Sequence, residues 1–194
     1  TKYADGTFQQ GASNYQKLGI AVSVPEWDDT KCIQCNKCAY VCSHAAIRPF
    51  ALNAQEAKAS PAAARCVPLK AGKGKDKYCF TMAVSPLDCM GCTVCVGACP
   101  TGALKMSPRE EQMKQQEVWK YMTEKVEEKP DMCDRTVRGS QFSKPLLEFS
   151  GSCAGCAETT YARIVTQLFG ERMYVANATG CSSIWGGPAA ASPY

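Results

Sequence analysis

The sequence predicts an α+β protein in which one small β-α-β unit occurs twice. The first observation is a spacing, Cys-x2-Cys-x2-Cys-x3-Cys, that is present in two runs 57 residues apart. The runs are Cys32, Cys35, Cys38 and Cys42, and then Cys89, Cys92, Cys95 and Cys99. The second observation is that the same offset pairs Ala46-Ile47 with Ala103-Leu104, beyond the cysteines. Similarity at a fixed offset indicates an internal duplication.

Short apolar segments on either side of each cysteine run predict the strands. In the first half, an apolar stretch at 20–24 is expected to end at Pro25, and a candidate strand at 46–50 follows the cysteines. Residues 80–84 and 103–106 occupy the same places in the second half. Such segments, bounded by turn residues, are typical of short strands. Each half therefore reads as strand, cysteine loop, helical turn and strand.

The cysteine spacing indicates the chemistry. Three thiolates on one short loop can reach three irons of a [4Fe-4S] cluster, and in two-cluster proteins the last cysteine of each run ligates the other cluster. The predicted ligands of one cluster are Cys32, Cys35, Cys38 and Cys99, and those of the second are Cys89, Cys92, Cys95 and Cys42. This crossed ligation would join the two halves.

Two other interpretations of the cysteines are weaker. Structural zinc sites generally use two separated pairs of cysteines, which would leave the third cysteine of each run unused. A disulfide framework requires an oxidising compartment, whereas the start of the chain shows no apolar signal segment. Neither argument is decisive against zinc, so a zinc-stabilised interaction protein stays open as an alternative. Analysis of iron and acid-labile sulfide would distinguish it from an iron-sulfur protein.

Composition gives no support for nucleic acid or a membrane as a partner. The chain of 194 residues has 14 cysteines and a formal net charge of +4 with neutral thiols. Each oxidised cluster with its four thiolates contributes about −2, so two clusters bring the total close to zero. The charge is therefore no argument for nucleic acid. No window of 18 apolar residues occurs, so no membrane span is expected.

The first domain is predicted at 1–106, with an insertion at 52–78 that exceeds a minimal repeat. The insertion begins with a helix-prone, alanine-rich segment, and 72–75 is expected to form a solvated loop tip. Cys66 and Cys79 could be buried thiols, a pair or extra ligands. Buried thiols are favoured, because free cysteine behaves as a small apolar residue.

A connecting segment is predicted at 107–148. Ser107 has the features of a helix N-cap, with Pro108 at the first helical position and Glu110 three residues after the cap. A helix reaching about Glu128 is expected from this start. Polar residues 131–144 then predict an extended linker.

The last block, 149–194, has a sequence pattern that differs from that of the repeated domain. Cys153 and Cys156 lie in a turn of small residues, and a helical pattern follows at 157–169. Its expected apolar face consists of Tyr161, Ile164, Val165 and Leu168. A predicted strand at 173–176 leads into a loop containing Cys181, a position where α/β proteins place ligands. On spacing alone, the cysteine pair could be a redox dithiol, half a zinc site, part of a third cluster or coincidence.

Together these motifs resemble the C-terminal part of the pyruvate:ferredoxin (or flavodoxin) oxidoreductases. The resemblance covers essentially the whole chain, and its final segment makes it specific. The segments that carry it are 24–27 with 32–36, 84–89, 139–142 and 178–187.

The resemblance implies a fold and cofactors beyond those that the spacing indicates. A two-cluster ferredoxin-like domain would precede a thiamine-diphosphate-binding α/β domain, of which 149–194 is a truncated start. A third [4Fe-4S] cluster would lie near the thiamine, with Cys153, Cys156 and Cys181 as three ligands and the fourth outside this sequence. Glu158 and Cys181 would lie at the thiamine diphosphate, which in the full enzyme is bound with Mg²⁺.

The resemblance also implies an activity. The full enzyme would convert pyruvate and coenzyme A to acetyl-CoA and CO2, and this part would relay electrons to ferredoxin or flavodoxin. A homodimer is expected, in the cytoplasm or in the lumen of a hydrogenosome-type organelle. A stand-alone two-cluster electron carrier and an oxidoreductase of another 2-oxoacid stay open. The chain contains no predicted catalytic residue, and it is expected to hold two clusters without turnover.

Overall fold

A computed structural model describes residue 4 and residues 12–70 and 75–186, which form a mixed α/β structure with two small sheets. The strands are β1 Ser23–Trp27, β2 Ile47–Leu52, β3 Val67–Pro68, β4 Cys79–Val84 and β5 Leu104–Pro108. The helices are α1 Lys37–Tyr40, α2 Ala54–Ala59, α3 Val94–Gly97, α4 Lys114–Glu124, α5 Val137–Ser140, α6 Ala157–Phe169 and α7 Cys181–Trp185. Short 3₁₀ turns occur at Ala12–Tyr15, Arg109–Gln112 and Gly170–Arg172. The loop tip expected at 72–75 lies almost wholly outside the described residues.

The two halves of the repeat exchange strands. β1, the first strand of the first half, pairs antiparallel with β5, the last strand of the second half. β4 opens the second half and pairs antiparallel with β2, which closes the first. β3, from the insertion, adds to the other edge of β4. Neither half therefore forms a sheet from its own two main strands.

The cysteine loops repeat in backbone conformation as well as in sequence. Helices α1 and α3 lie 57 residues apart, as the cysteines do. Gln34 and Asn36 have left-handed backbone angles, with φ of 58° and 60°, and the second half repeats them at Gly91 and Thr93 with 68° and 65°. Left-handed angles disfavour residues that carry a Cβ. The duplication thus preserves a specific loop conformation.

Buried side-chain hydrogen bonds hold the strained first loop. Gln34 Nε2 donates to the Pro68 carbonyl at 2.9 Å, and Gln34 Oε1 accepts from the Lys70 backbone N–H at 2.7 Å. Asn36 Nδ2 donates to the Arg138 carbonyl at 2.9 Å. The first cysteine loop is therefore anchored to the insertion and to the segment that contains α5.

An apolar core lies beneath the cysteine loops. Trp27 and Phe80 meet edge to face with ring centroids 5.9 Å apart, and Phe142 meets Phe80 at 6.2 Å. Cys32, Cys38, Cys42 and Cys99 pack against this core. A second core is formed where α4 packs on β4 and β2, with Trp119 and Met122 almost fully buried. The loops that carry the cysteines thus rest on packed side chains.

Two expectations about strand and helix boundaries were wrong. β1 continues through Pro25, which lies opposite Met106 in a sheet of only two strands, where a missing N–H is tolerated at the edge. Ser107 belongs to β5, and its hydroxyl donates to Glu26 Oε2 at 2.7 Å instead of capping a helix. Strand pairing outweighs the local capping pattern. The main helix, α4, begins at Lys114 and ends at Glu124.

The extended linker expected at 131–144 is partly helical. Thr136 is the N-cap of α5, and its Oγ1 accepts from the Gly139 N–H at 3.0 Å. Gly139 and Gln141 are buried, which places this segment among the packed elements. Glu148, at the end of the predicted connecting segment 107–148, forms an ion pair with Arg48 of β2. The Arg48 guanidinium also lies 4.8 Å from the Trp119 ring centroid.

Cys66 and Cys79 are joined by a disulfide bond, with Cα atoms 5.7 Å apart. The sequence left three alternatives for these cysteines, namely buried thiols, a pair and extra ligands. The structure shows the pair, so the preference for separate buried thiols was wrong. Pairing of β3 with β4 brings Pro68 opposite Cys79 and explains the proximity. That register cannot be read from the spacing of the two cysteines.

The last block contains the expected helix with an unexpected orientation. α6 spans Ala157–Phe169, but its buried residues are Thr159, Arg163 and Thr166. Tyr161 and Val165, from the expected inward face, are 74% and 43% exposed. The strand predicted at 173–176 is absent, since these residues have no regular structure and pair with no other strand of the described chain.

None of the helices in the described ranges combines the length and the apolar character that crossing a membrane requires.

Gly139→Ala is expected to destabilise the protein. A Cβ at this position would lie 1.8 Å from Asp134 Oδ1 and 2.9 Å from the Asp134 backbone nitrogen, so the chain must shift. Overpacking of this kind costs about 1–3 kcal/mol. Urea unfolding of the anaerobically prepared protein measures the loss. Gly97→Ala is the control, because nothing lies within 4 Å of its new Cβ. Equal stability of the two variants would contradict the packing of α5.

Candidate metal centres

Each set of four cysteines that the sequence assigns to one cluster lines a common cavity. Cys32, Cys35, Cys38 and Cys99 line the first cavity, together with Trp27, Met82 and Leu104. Cys42, Cys89, Cys92 and Cys95 line the second cavity, together with Ile47, Val84 and Met106. In each cavity one cysteine comes from the other run. The structure thus brings together the residues of the crossed assignment, whereas their role as ligands stays a prediction.

Strand exchange accounts for this grouping. Each run ends in a helical turn, α1 or α3, that leads to its fourth cysteine and then to β2 or β5. β2 pairs with β4, which precedes the second run, and β5 pairs with β1, which precedes the first. The fourth cysteine of each run is therefore delivered beside the loop of the other.

Backbone N–H groups point at several of the sulfurs. The Gln34 N–H donates to Cys32 Sγ at 3.4 Å, and the Gly91 N–H donates to Cys89 Sγ at the same distance. The Ala103 N–H donates to Cys99 Sγ at 3.2 Å. Hydrogen bonds to thiolate sulfur stabilise negative charge there and tune a bound iron-sulfur cluster.

Burial holds several of these thiols in the protonated form in the absence of metal. It raises the pKa of Cys89 and of Cys95 to about 12, and it raises the pKa of Cys38 further. Neighbouring thiols of the same cavity add to the effect on Cys95, among them Cys42 and Cys89. Because a thiolate is the metal ligand, metal binding here must release protons.

The pKa of Cys99 shifts in the opposite direction from those of Cys38, Cys89 and Cys95. Burial acts to raise its pKa, but N–H groups of the following turn, including those of Thr101 and Ala103, outweigh burial and lower the pKa overall. The turn after the second run thus favours the thiolate form of Cys99.

The cavities suit a group of several atoms. A single zinc ion requires four thiolates at about 2.3 Å from one point. Within the described ranges, no three His, Cys, Asp or Glu side chains converge closely enough to hold one metal ion. Cysteine donors around an apolar space fit a [4Fe-4S] cluster.

The three cysteines expected at a third cluster are placed separately. Cys153 is exposed, and Cys156 is half-buried at the N-cap of α6, where its Sγ accepts from the Thr159 N–H at 3.5 Å. Cys181 is exposed at the first position of α7. Glu158 is exposed in the first turn of α6. The described residues do not bring these three cysteines together around one ion.

The loop containing Cys153 and Cys156 nevertheless lies against the second cavity. A Cβ at Gly155 would be 3.3 Å from Cys92 Cβ and 3.8 Å from Cys92 Sγ. His44, which lines the same cavity, has its Nε2 3.3 Å from the Cys153 carbonyl oxygen. The last block thus approaches the second cavity and adjoins one of its cysteines.

Sequence reasoning missed two residues near the cavities. His44 is the one histidine of the chain, and its position two residues after Cys42 was an available signal. Burial lowers its pKa, while the contact with the Cys153 carbonyl opposes this effect. Arg163, buried on α6, gave no signal, because it lies off the apolar pattern of that helix.

A larger cavity exists elsewhere, lined by Arg48, Lys129 and Glu148 among others, and it contains none of the predicted ligands. Its walls offer carboxylates and ammonium groups rather than thiols. It therefore plays no part in the predicted cluster chemistry.

Residues 31–103 match the family model of the 4Fe-4S dicluster domain, which defines the class of the site. Pyruvate-flavodoxin oxidoreductase of Enterobacter agglomerans is 50% identical over 192 residues, covering 98% of this chain and 16% of the relative. Pyruvate:ferredoxin oxidoreductase of Moorella thermoacetica is 50% identical over 195 residues, with the same coverage. Pyruvate dehydrogenase [NADP(+)] of Cryptosporidium parvum is 48% identical over 191 residues, covering 97% of this chain and 10% of the relative.

The chain is thus a close homologue of one segment of the pyruvate-flavodoxin and pyruvate:ferredoxin oxidoreductases, as the resemblance in sequence predicted. It spans about one sixth of the length of these two relatives.

Gly155→Ala is expected to destabilise the protein more than Gly151→Ala. Both glycines have left-handed backbone angles, with φ of +72° and +75°, so both changes incur a strain of about 1–2 kcal/mol. Only at position 155 would the new Cβ press on Cys92 and Val94. The difference between the two free energies of unfolding in urea isolates this contact. No difference would contradict the approach of the loop to the second cavity.

Proposed function

We propose that this chain is the electron-relay segment of an oxidoreductase that converts pyruvate and coenzyme A to acetyl-CoA and CO2. Its two [4Fe-4S] clusters would pass the electrons to a flavodoxin or a ferredoxin. The observation that carries the proposal is the pair of cavities, each lined by three cysteines of one run and the fourth of the other. The names of the relatives support pyruvate as the 2-oxoacid, and flavodoxin or ferredoxin as acceptor.

The proposed ligands follow the cavities. Cys32, Cys35, Cys38 and Cys99 would hold one cluster, and Cys42, Cys89, Cys92 and Cys95 the other. A bound [4Fe-4S] cluster supplies reversible one-electron transfer. The protein contributes apolar walls and backbone N–H groups that face the sulfurs.

The contacts also suggest a direction for the relay. The loop of Cys153 and Cys156 adjoins Cys92 of the second cavity, so electrons from the last block would enter there. α1 and α3, which carry Cys38 and Cys95, pack against each other between the two cavities. Beside the first cavity, Ile33 is 50% exposed, which suits an exit to a docked acceptor. The second cavity would thus receive electrons and the first would deliver them.

The last block would belong to a thiamine-diphosphate-binding domain that requires residues outside this sequence. Cys153, Cys156 and Cys181 would be ligands of a third cluster, and Glu158 and Cys181 would lie at the thiamine diphosphate with its Mg²⁺. The separate, exposed positions of Cys153 and Cys181 are consistent with a site completed by other parts of the full enzyme. The homodimer and the cytoplasmic or organellar location stay proposals of the same kind.

A stand-alone two-cluster carrier is less well supported. Such a carrier has no use for α6, which donates side-chain hydrogen bonds to Ala39, Tyr40 and Val41 between the cysteines of the first run. Both oxidoreductase relatives named above are also about six times as long as this chain. An electron path from a neighbouring active site explains both observations.

Metal analysis tests the cluster content. The anaerobically reconstituted chain is expected to contain about eight irons and eight acid-labile sulfides, because two [4Fe-4S] clusters require that number. A colourless protein with roughly two to three zinc ions, the result expected of four-cysteine zinc sites, would overturn the iron-sulfur function.

Serine variants test the crossed ligation. Cys99→Ser and Cys35→Ser should damage the same cluster, so the reduced variants should show the same residual EPR spectrum. Cys42→Ser should match Cys92→Ser in the same way. If ligation were confined to each run, Cys99→Ser would instead match Cys92→Ser. Cys133→Ser is the control, since Cys133 lines neither cavity, and its spectrum should equal that of the unaltered chain.

A further inference from the structure

The buried side of α6 carries a cation beneath the first cysteine run. Arg163 is only 2% exposed, although arginine is rarely buried unless it is paired. Its neighbours on the buried side of the helix, Thr159 and Thr166, are neutral. The position therefore requires a physical explanation beyond packing.

The guanidinium reaches the backbone between two predicted ligands. Arg163 Nη2 donates to the Tyr40 carbonyl at 2.6 Å and to the Ala39 carbonyl at 2.9 Å. These carbonyls belong to the end of α1, and the Ala39 carbonyl also accepts from the Cys42 backbone N–H at 3.2 Å. Cys38 precedes them and Cys42 follows them. Arg163 therefore fixes the turn that carries the chain from one cavity to the other.

The remaining partners of the guanidinium are also neutral. Gln141 Oε1 accepts from Nη1 at 3.4 Å, and Gln167 Oε1 accepts from Nη1 at 3.5 Å. No ion pair of the described residues includes Arg163. A buried charge without an opposite charge is costly. The hydrogen bonds offset part of this cost but supply no negative charge.

The contacts of α6 and of the loop before it locate the missing charge. Burial lowers the pKa of Arg163 to about 10, Arg48 acts in the same direction, and Cys42 acts to raise it. Arg163 is thus a cation at neutral pH. Arg48 already has Glu148 as its partner. Thr160, on the preceding turn of α6, donates to the Val41 carbonyl beside Cys42, and the loop before α6 adjoins Cys92. α6 and this loop therefore lie against the second cavity, and the negative charge available to Arg163 is that of the group which Cys42 and Cys92 would hold.

We propose that Arg163 is the counter-charge of the cluster held by Cys42, Cys89, Cys92 and Cys95, and that it raises the reduction potential of that cluster. The inference rests on the proposed function, since it requires the cluster. Accepting one electron takes the cluster and its thiolates from about −2 to about −3. A nearby buried cation stabilises the more negative state, and at low dielectric the effect is strong.

This role makes Arg163 a positioning and tuning residue with a consequence for the relay. The residue belongs to the last block, whereas the cluster belongs to the repeated domain. Docking of α6 would thus make the second cavity a better electron acceptor on the side from which electrons arrive. A chain without this contact would hold the same cluster at a more negative potential.

The first test is Arg163→Gln in the 194-residue chain, with Arg172→Gln as the matched control on an exposed position of the same block. Both proteins are reconstituted with iron and sulfide and titrated with dithionite under EPR detection. The midpoint potential of one cluster should become more negative in Arg163→Gln and stay unchanged in Arg172→Gln. The other cluster should move less, because α6 and the loop before it contact the chain at Val41, beside Cys42, and at Cys92 of the second cavity.

A second variant covers the case in which Arg163→Gln loses its clusters. Gln141→Glu retains the acceptor next to the guanidinium and places a carboxylate there, so it neutralises the charge with nearly the same shape. Its midpoint potential should shift in the same negative direction. Arg163→Lys, which keeps the charge, should stay closer to the unaltered chain than either.

The outcomes separate this role from the proposed function. Full iron content with unchanged midpoint potentials in Gln141→Glu, or in Arg163→Gln, would overturn the role of Arg163 and leave the relay intact. Failure of the unaltered chain to bind iron would overturn both. An equal shift in Arg172→Gln would show a general surface-charge effect and would also contradict the proposal.

Discussion

Antiparallel pairing between the two halves of the repeat is the interaction on which the other features of the structure depend. β1 pairs with β5 and β2 pairs with β4, so each sheet contains strands from both halves. This exchange brings a fourth cysteine to each cavity and places the apolar core, with Trp27 and Phe80, beneath both loops. Loss of one strand pair would therefore open a cavity as well as a sheet.

The repeated domain could be read from the sequence because its signals are local and occur twice. The spacing of the cysteines and the four apolar segments located β2, β4 and β5 to within two residues. The grouping of Cys99 with the first run followed from general cluster chemistry. Each of these inferences depended on residues close together in the chain or on the 57-residue offset.

The errors occurred where distant contacts decide the structure. Ser107 has the sequence context of a helix cap, but pairing with β1 keeps it in a strand. The disulfide between Cys66 and Cys79 follows from the register of β3 on β4, which no spacing reveals. Arg163 lies off the apolar pattern of α6, and the carbonyls of α1 that accept its hydrogen bonds are more than 120 residues away in the chain. Propensity is a weak prior that tertiary contacts override.

Contacts with residues distant in the chain also decide which face of α6 is buried. Its threonines and Arg163 face the cysteine loops, because the backbone carbonyls there need donors that an apolar face lacks. Tyr161 and Val165 are left exposed as a result. A helix between a polar surface and a further apolar one would have this pattern.

Strand exchange also constrains how the protein matures. Cys42 leaves the ribosome well before Cys89, and the first three cysteines must wait for Cys99, at the end of the second run. A nascent chain that ends between the two runs presents thiols but no complete four-cysteine cavity. Non-local pairing of this kind is slow to form. If the cavities hold clusters as proposed, insertion would wait until the second run has been synthesised, and a chain that ends between the two runs would hold neither cluster.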